Sequence, residues 1–449
     1  MKTSYLLLLL PFLLFSCSKS SDMTTKTTPA APITQVPSQP TAPVITTPKS
    51  YAYAALYSSY QLKYESKTWV DMNTLRLKNN QNGFFAASYF DFDNDGDDDI
   101  LVSPSGDAVE LKRYNNDPSI TKGDLEFYTN KNGQYELSQT VFSPNGVGHI
   151  GPRKTILGDY DGDKMIDVLL LGTGYDPYPD EKEEPVLLIN KGGKFNANSM
   201  KIMNGYRHGG CSGDIDKDGD IDVLLVGGNA QESNLFLNSG DGKFIANDNI
   251  FIDKGNIMFS VLNSELIDLD ADGNLDMILL GSDVASINKN EVWAKNSGSK
   301  IFFGNPKLNS LELKNATIIP SPTYNLKSSE YRTIHDIDVI DLDGDKKNEI
   351  ILLRVNDMHD GAYIQILKLN SDKSFTDVSE KMIPNNCLRT NVLFGGWLDY
   401  FKVGDIDNDG FIEIYSPFRR IDAPKTSQFT GYLWRMDANK TFQFIGSNF

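Results

Sequence analysis

One ten-residue pattern recurs six times in this chain and constrains its fold more than any other feature. It reads DFDNDGDDDI from Asp91, DYDGDKMIDV from Asp159, DIDKDGDIDV from Asp214, DLDADGNLDM from Asp268, DLDGDKKNEI from Asp341 and DIDNDGFIEI from Asp405. Acids stand at the first, third, fifth and ninth positions of every copy. They are Asp91, Asp93, Asp95 and Asp99; Asp159, Asp161, Asp163 and Asp167; Asp214, Asp216, Asp218 and Asp222; Asp268, Asp270, Asp272 and Asp276; Asp341, Asp343, Asp345 and Glu349; and Asp405, Asp407, Asp409 and Glu413. Four carboxylates within nine residues repel one another unless a cation sits among them, and a hard divalent ion with oxygen ligands is the natural one. Calcium fits best, with up to six ions in a structural role. Magnesium keeps more of its water, and the loops contain no His or Cys to suggest zinc.

The remaining loop positions refine this reading. Position seven varies freely (Asp97, Met165, Asp220, Asn274, Lys347, Phe411), so only its backbone carbonyl is needed there. Position six is glycine in four copies (Gly96, Gly219, Gly273, Gly410), which suits a sharp reversal of the chain. The second and fifth copies carry Lys164 and Lys346 there and have Gly162 and Gly344 two residues earlier, so weaker or differently shaped sites are expected. An EF-hand starts in the same way but requires a bidentate Glu at position twelve. That position here holds Val102, Leu170, Leu225, Leu279, Leu352 and Ser416, which excludes the motif.

Each loop is flanked by short apolar runs such as VLLLG, VLLVG and MILLG, which read as buried strands. After them comes a second half in which an apolar strand, a polar turn and an aromatic-bearing strand follow one another, as in PVLLINKGGKF, NLFLNSGDGKF, YIQILKLNSDKSF and YLWRMDANKTF. Loop starts lie 54 to 73 residues apart, enough for about four strands and their turns, the size of a propeller blade. The fold expected is all-β, a β-propeller with six calcium-loop repeats over residues 84–449. Residues 51–83 form strand-like lead-in pieces able to contribute a seventh blade.

These loops and their apolar flanks resemble FG-GAP or VCBS repeats, known from integrin-type propellers and many bacterial exported proteins. The resemblance spans about four fifths of the chain. It implies calcium ligation by the acids named above and passes on no catalytic residue. Propellers of this kind serve adhesion, sugar binding and occasionally catalysis, so the resemblance does not itself specify a function.

The N-terminus points to export. Lys2 precedes an apolar run from Tyr5 to Phe15 that ends in Leu14-Phe15-Ser16-Cys17 and resembles a bacterial lipobox. Residues 1–16 then form the signal peptide, Cys17 carries the lipid, and residues 17–50, rich in Ser, Thr and Pro, form a tether that buries too little surface to fold. In extended form the tether reaches on the order of 100 Å, at roughly 3.1 Å per residue. The expected location is the bacterial cell envelope, with membrane contact through the lipid only. The two other cysteines, Cys211 and Cys387, either pair in an oxidising compartment or stay as buried thiols. A formal net charge of -17 argues against nucleic acid as a partner.

A functional site beyond the loops has two readings. In the first, the propeller is a non-catalytic binding or adhesion module for a glycan or a surface protein, with Tyr175, Tyr178, Trp397 and Tyr400 as candidate stacking residues. The second is a polysaccharide lyase-like enzyme for an acidic polysaccharide. In it, Tyr206, Arg207, His208 and His335 would stand at a channel mouth to neutralise a uronate and move a proton. The first is preferred, because polar residues on inner strands commonly hydrogen-bond around a wet channel. The chain also lacks phosphate-binding glycine loops, nucleophile elbows, HExxH and CxxC patterns.

Overall fold

The protein was analysed as a computed structural model. It describes residues 85–446 apart from 98, 105–121, 132–133, 175–181, 201, 203, 228–229, 259–260, 283–297, 305–310, 323–331, 356–361, 385–386, 389–400, 405–409 and 417–431. The chain separates into two compact units, Met1–Pro48 and Lys49–Phe449, and all described residues belong to the second.

Six antiparallel sheets follow one another along the chain, forming a six-bladed β-propeller arrangement. The first blade contains β1 (Phe85–Phe90), β2 (Asp99–Pro104), β3 (Glu126–Lys131) and β4 (Gln134–Leu137). In the second, β5 (Phe142–Ser143) lies parallel to the edge strand of β6 (Pro152–Gly158), β7 (Asp167–Gly172), β8 (Val186–Asn190) and β9 (Phe195–Ser199). The third is β10 (Gly209–Gly213), β11 (Asp222–Val226), β12 (Asn234–Asn238) and β13 (Phe244–Ala246). The fourth is β14 (Val261–Ile267), β15 (Asp276–Gly281), β16 (Lys300–Phe302) and β17 (Thr317–Ile318). In the fifth, β18 (Thr333–Ile340), β19 (Glu349–Val355), β20 (Ala362–Leu369) and β21 (Phe375–Asp377) are joined by β22 (Cys387–Leu388) on β20. The sixth is β23 (Lys402–Gly404), β24 (Glu413–Ser416), β25 (Tyr432–Met436) and β26 (Phe442–Gly446). Among the described residues no helix is long and apolar enough to cross a membrane.

The second strand of each blade explains the unbroken apolar runs in the sequence. Strand residues alternate between two faces, and in a half-exposed sheet one face is polar. Here both faces are covered. Val168 and Leu170 of β7 pack with Phe92, Leu101 and Phe127 of the first blade, while Leu169 and Leu171 pack with Val223, Leu225 and Phe236 of the third. The same division recurs at β11, β15 and β19: Leu224 and Leu279 share one inter-blade core, Ile278 and Ile350 the next, and Ile351 and Ile414 the last. Each fully buried aliphatic side chain contributes about 1.5–3 kcal/mol, so stability resides between blades as much as within them.

The acidic pattern joins the first strand of a blade to its second, and its second residue drops into the core shared with the following blade. Phe92, Tyr160, Ile215, Leu269 and Leu342 are all buried in this way. An asparagine from the following blade fastens the loop. Asn190 donates from Nδ2 to the carbonyls of Phe92 at 2.8 Å and Ile166 at 3.1 Å, and its Oδ1 accepts from the Gly193 amide at 2.9 Å. Asn238 repeats the first contact on the Tyr160 carbonyl at 2.8 Å. Asn190→Ala leaves buried backbone groups unsatisfied and should cost about 2–4 kcal/mol, read as a lower urea midpoint at unchanged slope.

First strands of successive blades are stitched by polar contacts. Ser88 Oγ donates to Thr155 Oγ1 at 2.6 Å, Ser212 Oγ donates to the Leu157 carbonyl at 2.9 Å, and the Phe401 amide donates to Asp336 Oδ2 at 3.1 Å. Lys154 reaches from the second blade to the fourth, with Nζ 2.8 Å from Glu265 Oε1 and 3.1 Å from Asn263 Oδ1. Cys211 is a free, buried thiol whose Sγ lies 3.4 Å from Ser264 Oγ.

Candidate metal centres

The first five loops share one hydrogen-bond scheme. The first acid caps the amide of position six: Asp91 to Gly96 at 3.0 Å, Asp159 to Lys164 at 2.9 Å, Asp214 to Gly219 at 3.1 Å, Asp268 to Gly273 at 2.9 Å and Asp341 to Lys346 at 2.9 Å. The fifth acid caps position seven, as Asp95 does for Asp97 and Asp163 for Met165. Backbone conformation is shared as well. Position four takes a left-handed φ in all five loops (Asn94, Gly162, Lys217, Ala271, Gly344), and so does position six (Gly96, Lys164, Gly219, Gly273, Lys346). The second and fifth loops therefore do not differ in backbone shape from the others. Each turn needs two left-handed residues, and these two loops spend their glycine on the earlier one.

The ninth acid is the best buried and serves the fold directly. Asp99 accepts the Phe92 amide on Oδ2 at 3.1 Å and the Asn130 amide on Oδ1 at 2.9 Å. Asp167 does the same for Tyr160 at 2.9 Å and Asn190 at 2.8 Å, Asp222 for Ile215 at 3.0 Å and Asn238 at 2.9 Å, and Asp276 for Leu269 at 2.8 Å and Gly304 at 2.6 Å. One carboxylate thus ties its own loop to the third strand. Burial pushes the pKa of Asp99, Asp167, Asp222 and Asp276 up to about 7, against the pull of those amides. Glu349 is raised for the same first cause.

Carboxylate oxygens converge within each loop. Asp91, Asp93 and Asp99; Asp159, Asp161 and Asp167; Asp214, Asp216 and Asp218; Asp268, Asp270 and Asp276; and Asp341, Asp343 and Glu349 each offer ligand atoms within 4.8 Å of one another. Such a group can hold one ion, since oxygens on opposite sides of a calcium at about 2.3–2.6 Å lie up to about 5 Å apart. A second observation supports the fit. Asp93 Oδ1, Asp159 Oδ1, Asp161 Oδ1, Asp214 Oδ1 and Asp270 Oδ1 are shielded from solvent and have no hydrogen-bond partner. A carboxylate oxygen left in that state costs free energy that a cation would remove.

Asp405, Asp407 and Asp409 of the sixth loop lie outside the described residues, as do Cys17, Tyr175, Tyr178, Trp397 and Tyr400. Glu413 of that loop is buried, with its Oε1 3.5 Å from Arg435 Nε.

The residues proposed for catalysis are only partly brought together. The rings of Tyr206 and His208 approach with centroids 4.9 Å apart, just before β10. Between them Arg207 is almost fully buried, and burial lowers its pKa to about 10, so it is not a group displayed to a substrate. His335 stands on β18, two blades further on, where its carbonyl accepts from Asn263 Nδ2 at 2.8 Å. His149, in the same region of the second blade, is fully buried and held towards its neutral form by desolvation.

With this geometry in view, the sequence profile of the FG-GAP-like repeat matches residues 214–279 and 341–416, the segments containing loops three to six. These two segments are similar to FG-GAP-like repeats. Loops one and two fall outside the matched segments and share the hydrogen-bond scheme of loops three to five. Among solved structures the chain is similar to a six-bladed β-propeller fungal lectin from Aleuria aurantia, at 10% identity and a TM-score of 0.38 over 82% of this chain and 96% of that one. It is also similar to a levansucrase variant from B. megaterium, at 8% identity and a TM-score of 0.36 over 86% of this chain and 92% of that one. No curated protein matches the sequence.

Proposed function

We propose that this protein is an exported, lipid-anchored propeller whose acidic loops hold structural calcium and whose opposite face is a non-enzymatic binding surface for glycans. The supporting observation is the convergence of ligand oxygens in five loops, several of them shielded and without a partner. Calcium would supply the charge that lets these carboxylates stay ionised while they cap backbone amides. The chain's formal charge is -17, and filled loops would remove much of the resulting repulsion.

The antiparallel topology separates the two ends of each blade. Loops join first to second strands at one end, so second-to-third connections leave from the other. Between the second and third strands of the second blade the sequence contains the long segment GYDPYPDEKEEP, with Tyr175 and Tyr178. Tyr and Trp beside acids and amides are suited to stack on sugar rings and bond their hydroxyls. A rigid metal-braced face would thus carry variable recognition segments at the opposite end.

A glycan array probed with calcium-loaded protein tests the reading, together with an assay for new reducing or unsaturated ends on uronate-rich polysaccharides. The expected result is glycan binding without chain cleavage; an empty array or turnover contradicts it. The anchor is tested separately: Cys17→Ser should abolish labelling by a radioactive fatty acid and move the protein to the soluble fraction.

A further inference from the structure

The five described loops agree in backbone shape but differ in the charges around them. Among the described residues no ammonium or guanidinium pairs with Asp91, Asp93, Asp95 or Asp99 of the first loop, or with Asp214, Asp216, Asp218 or Asp222 of the third. In the second loop, Lys191 from the turn after β8 brings Nζ to 2.7 Å from Asp161 Oδ2 and also into contact with Asp163 Oδ2. In the fifth, Lys368 of β20 places Nζ 2.7 Å from Asp343 Oδ2, 3.1 Å from Asp345 Oδ2 and 2.9 Å from Glu349 Oε1.

These lysines do not touch stray surface acids. They bridge the third and fifth acids of their loops, and Lys368 adds the ninth. The strand register fixes this arrangement in the fifth blade, where Glu349 and Lys368 are direct cross-strand partners. The fourth loop is an intermediate case. Lys373 from the next blade reaches only Asp270 Oδ2, at 2.7 Å, while lying over the Phe303 ring, against two acids for Lys191 and three for Lys368.

We propose that Lys191 and Lys368 are built-in counter-cations that take the divalent ion's place in the second and fifth blades, so that calcium fills at most four of the six loops. This rests on the calcium reading above and sharpens it. An ammonium has three donors and a compact charge, so it bonds two or three carboxylates at once without coordination geometry. A calcium ion entering such a loop must either expel the lysine or sit beside a like charge. Either way its affinity falls by at least about tenfold relative to an unplugged loop. The consequence is a graded scaffold. When calcium is scarce, blades two and five keep their loops closed while the first and third loosen.

The test counts bound calcium by equilibrium dialysis with radiolabelled ion, with native mass spectrometry on the same samples. It uses the full chain in detergent and the variants Lys191→Met, Lys368→Met and the double variant, with circular dichroism to verify folding. Wild type should bind no more than four ions, each single variant one more, and the double variant two more. In chelator the double variant should also melt below wild type, and added calcium should close the gap. Six ions in wild type, or folded variants that bind no more than wild type, overturn the inference and leave the calcium reading intact. No calcium in any of the proteins sinks both. A variant that folds only when calcium is supplied supports the proposal; should a variant fold in neither condition, the wild-type count decides alone.

Discussion

Removing calcium with a chelator at pH 7.5 should lower the protein's melting temperature by about 10 °C or more, and by much less at pH 5. Each ion that binds only the folded state adds roughly 2.7 kcal/mol at a hundredfold excess over its dissociation constant. Three filled loops add about 8 kcal/mol, which for a chain of this size corresponds to a shift of that order. The pH dependence follows from the buried ninth-position aspartates. Without metal, burial raises Asp99, Asp167, Asp222 and Asp276 to about 7 from an ordinary 3.8, so the folded state holds protons that the unfolded chain has released. The apo protein therefore loses stability as pH rises from about 4 through 7, and ionisation is fully unfavourable above that. Calcium favours the ionised form and removes this loss. Differential scanning calorimetry from pH 5 to 8, with calcium and with chelator, should show two curves that diverge as pH rises. Parallel curves would contradict the assignment.

Asp222→Ala should be among the most damaging single changes in any loop, at a cost of about 3–5 kcal/mol. The side chain is fully buried and accepts the amides of Ile215 at 3.0 Å and Asn238 at 2.9 Å. Truncation leaves two buried donors unsatisfied, at about 1–3 kcal/mol each. It also frees the residue that seats Ile215 in the core between the third and fourth blades. Asp220→Ala, two residues earlier at the variable seventh position, is the control and should stay within about 0.5 kcal/mol. Chemical denaturation of both variants in excess calcium distinguishes the two cases. Equal midpoints would show that the ninth acid does not organise the loop.

Much of this architecture could be read from the sequence because its determinants are local and repeated. Acids at fixed spacing, apolar residues at positions two and ten and runs such as VLLLG each report their own surroundings, and six concordant copies led to the blade. The contacts that depend on tertiary approach were not legible. Lys191 lies some thirty residues beyond the acids it bridges, and Asn190 fastens Phe92 from the next blade. A weak trace of the asparagine existed, since LLINKGGKF and LFLNSGDGKF both place it, as Asn190 and Asn238, directly after the apolar run. Glycine placement suggested differently shaped second and fifth loops, whereas their backbones match the others and the difference lies in the lysines. The arrangement of the Tyr, Arg and His cluster was not legible for a related reason. Adjacent letters in Tyr206-Arg207-His208 say nothing about burial, and Arg207 turns inward.

Elemental analysis of the folded protein, after gel filtration in buffer with micromolar calcium, tests the central claim most directly. The clusters of the first, third and fourth loops lead us to expect at least three equivalents of calcium per chain, all released by chelator. A folded propeller that carries no divalent metal at all would contradict it.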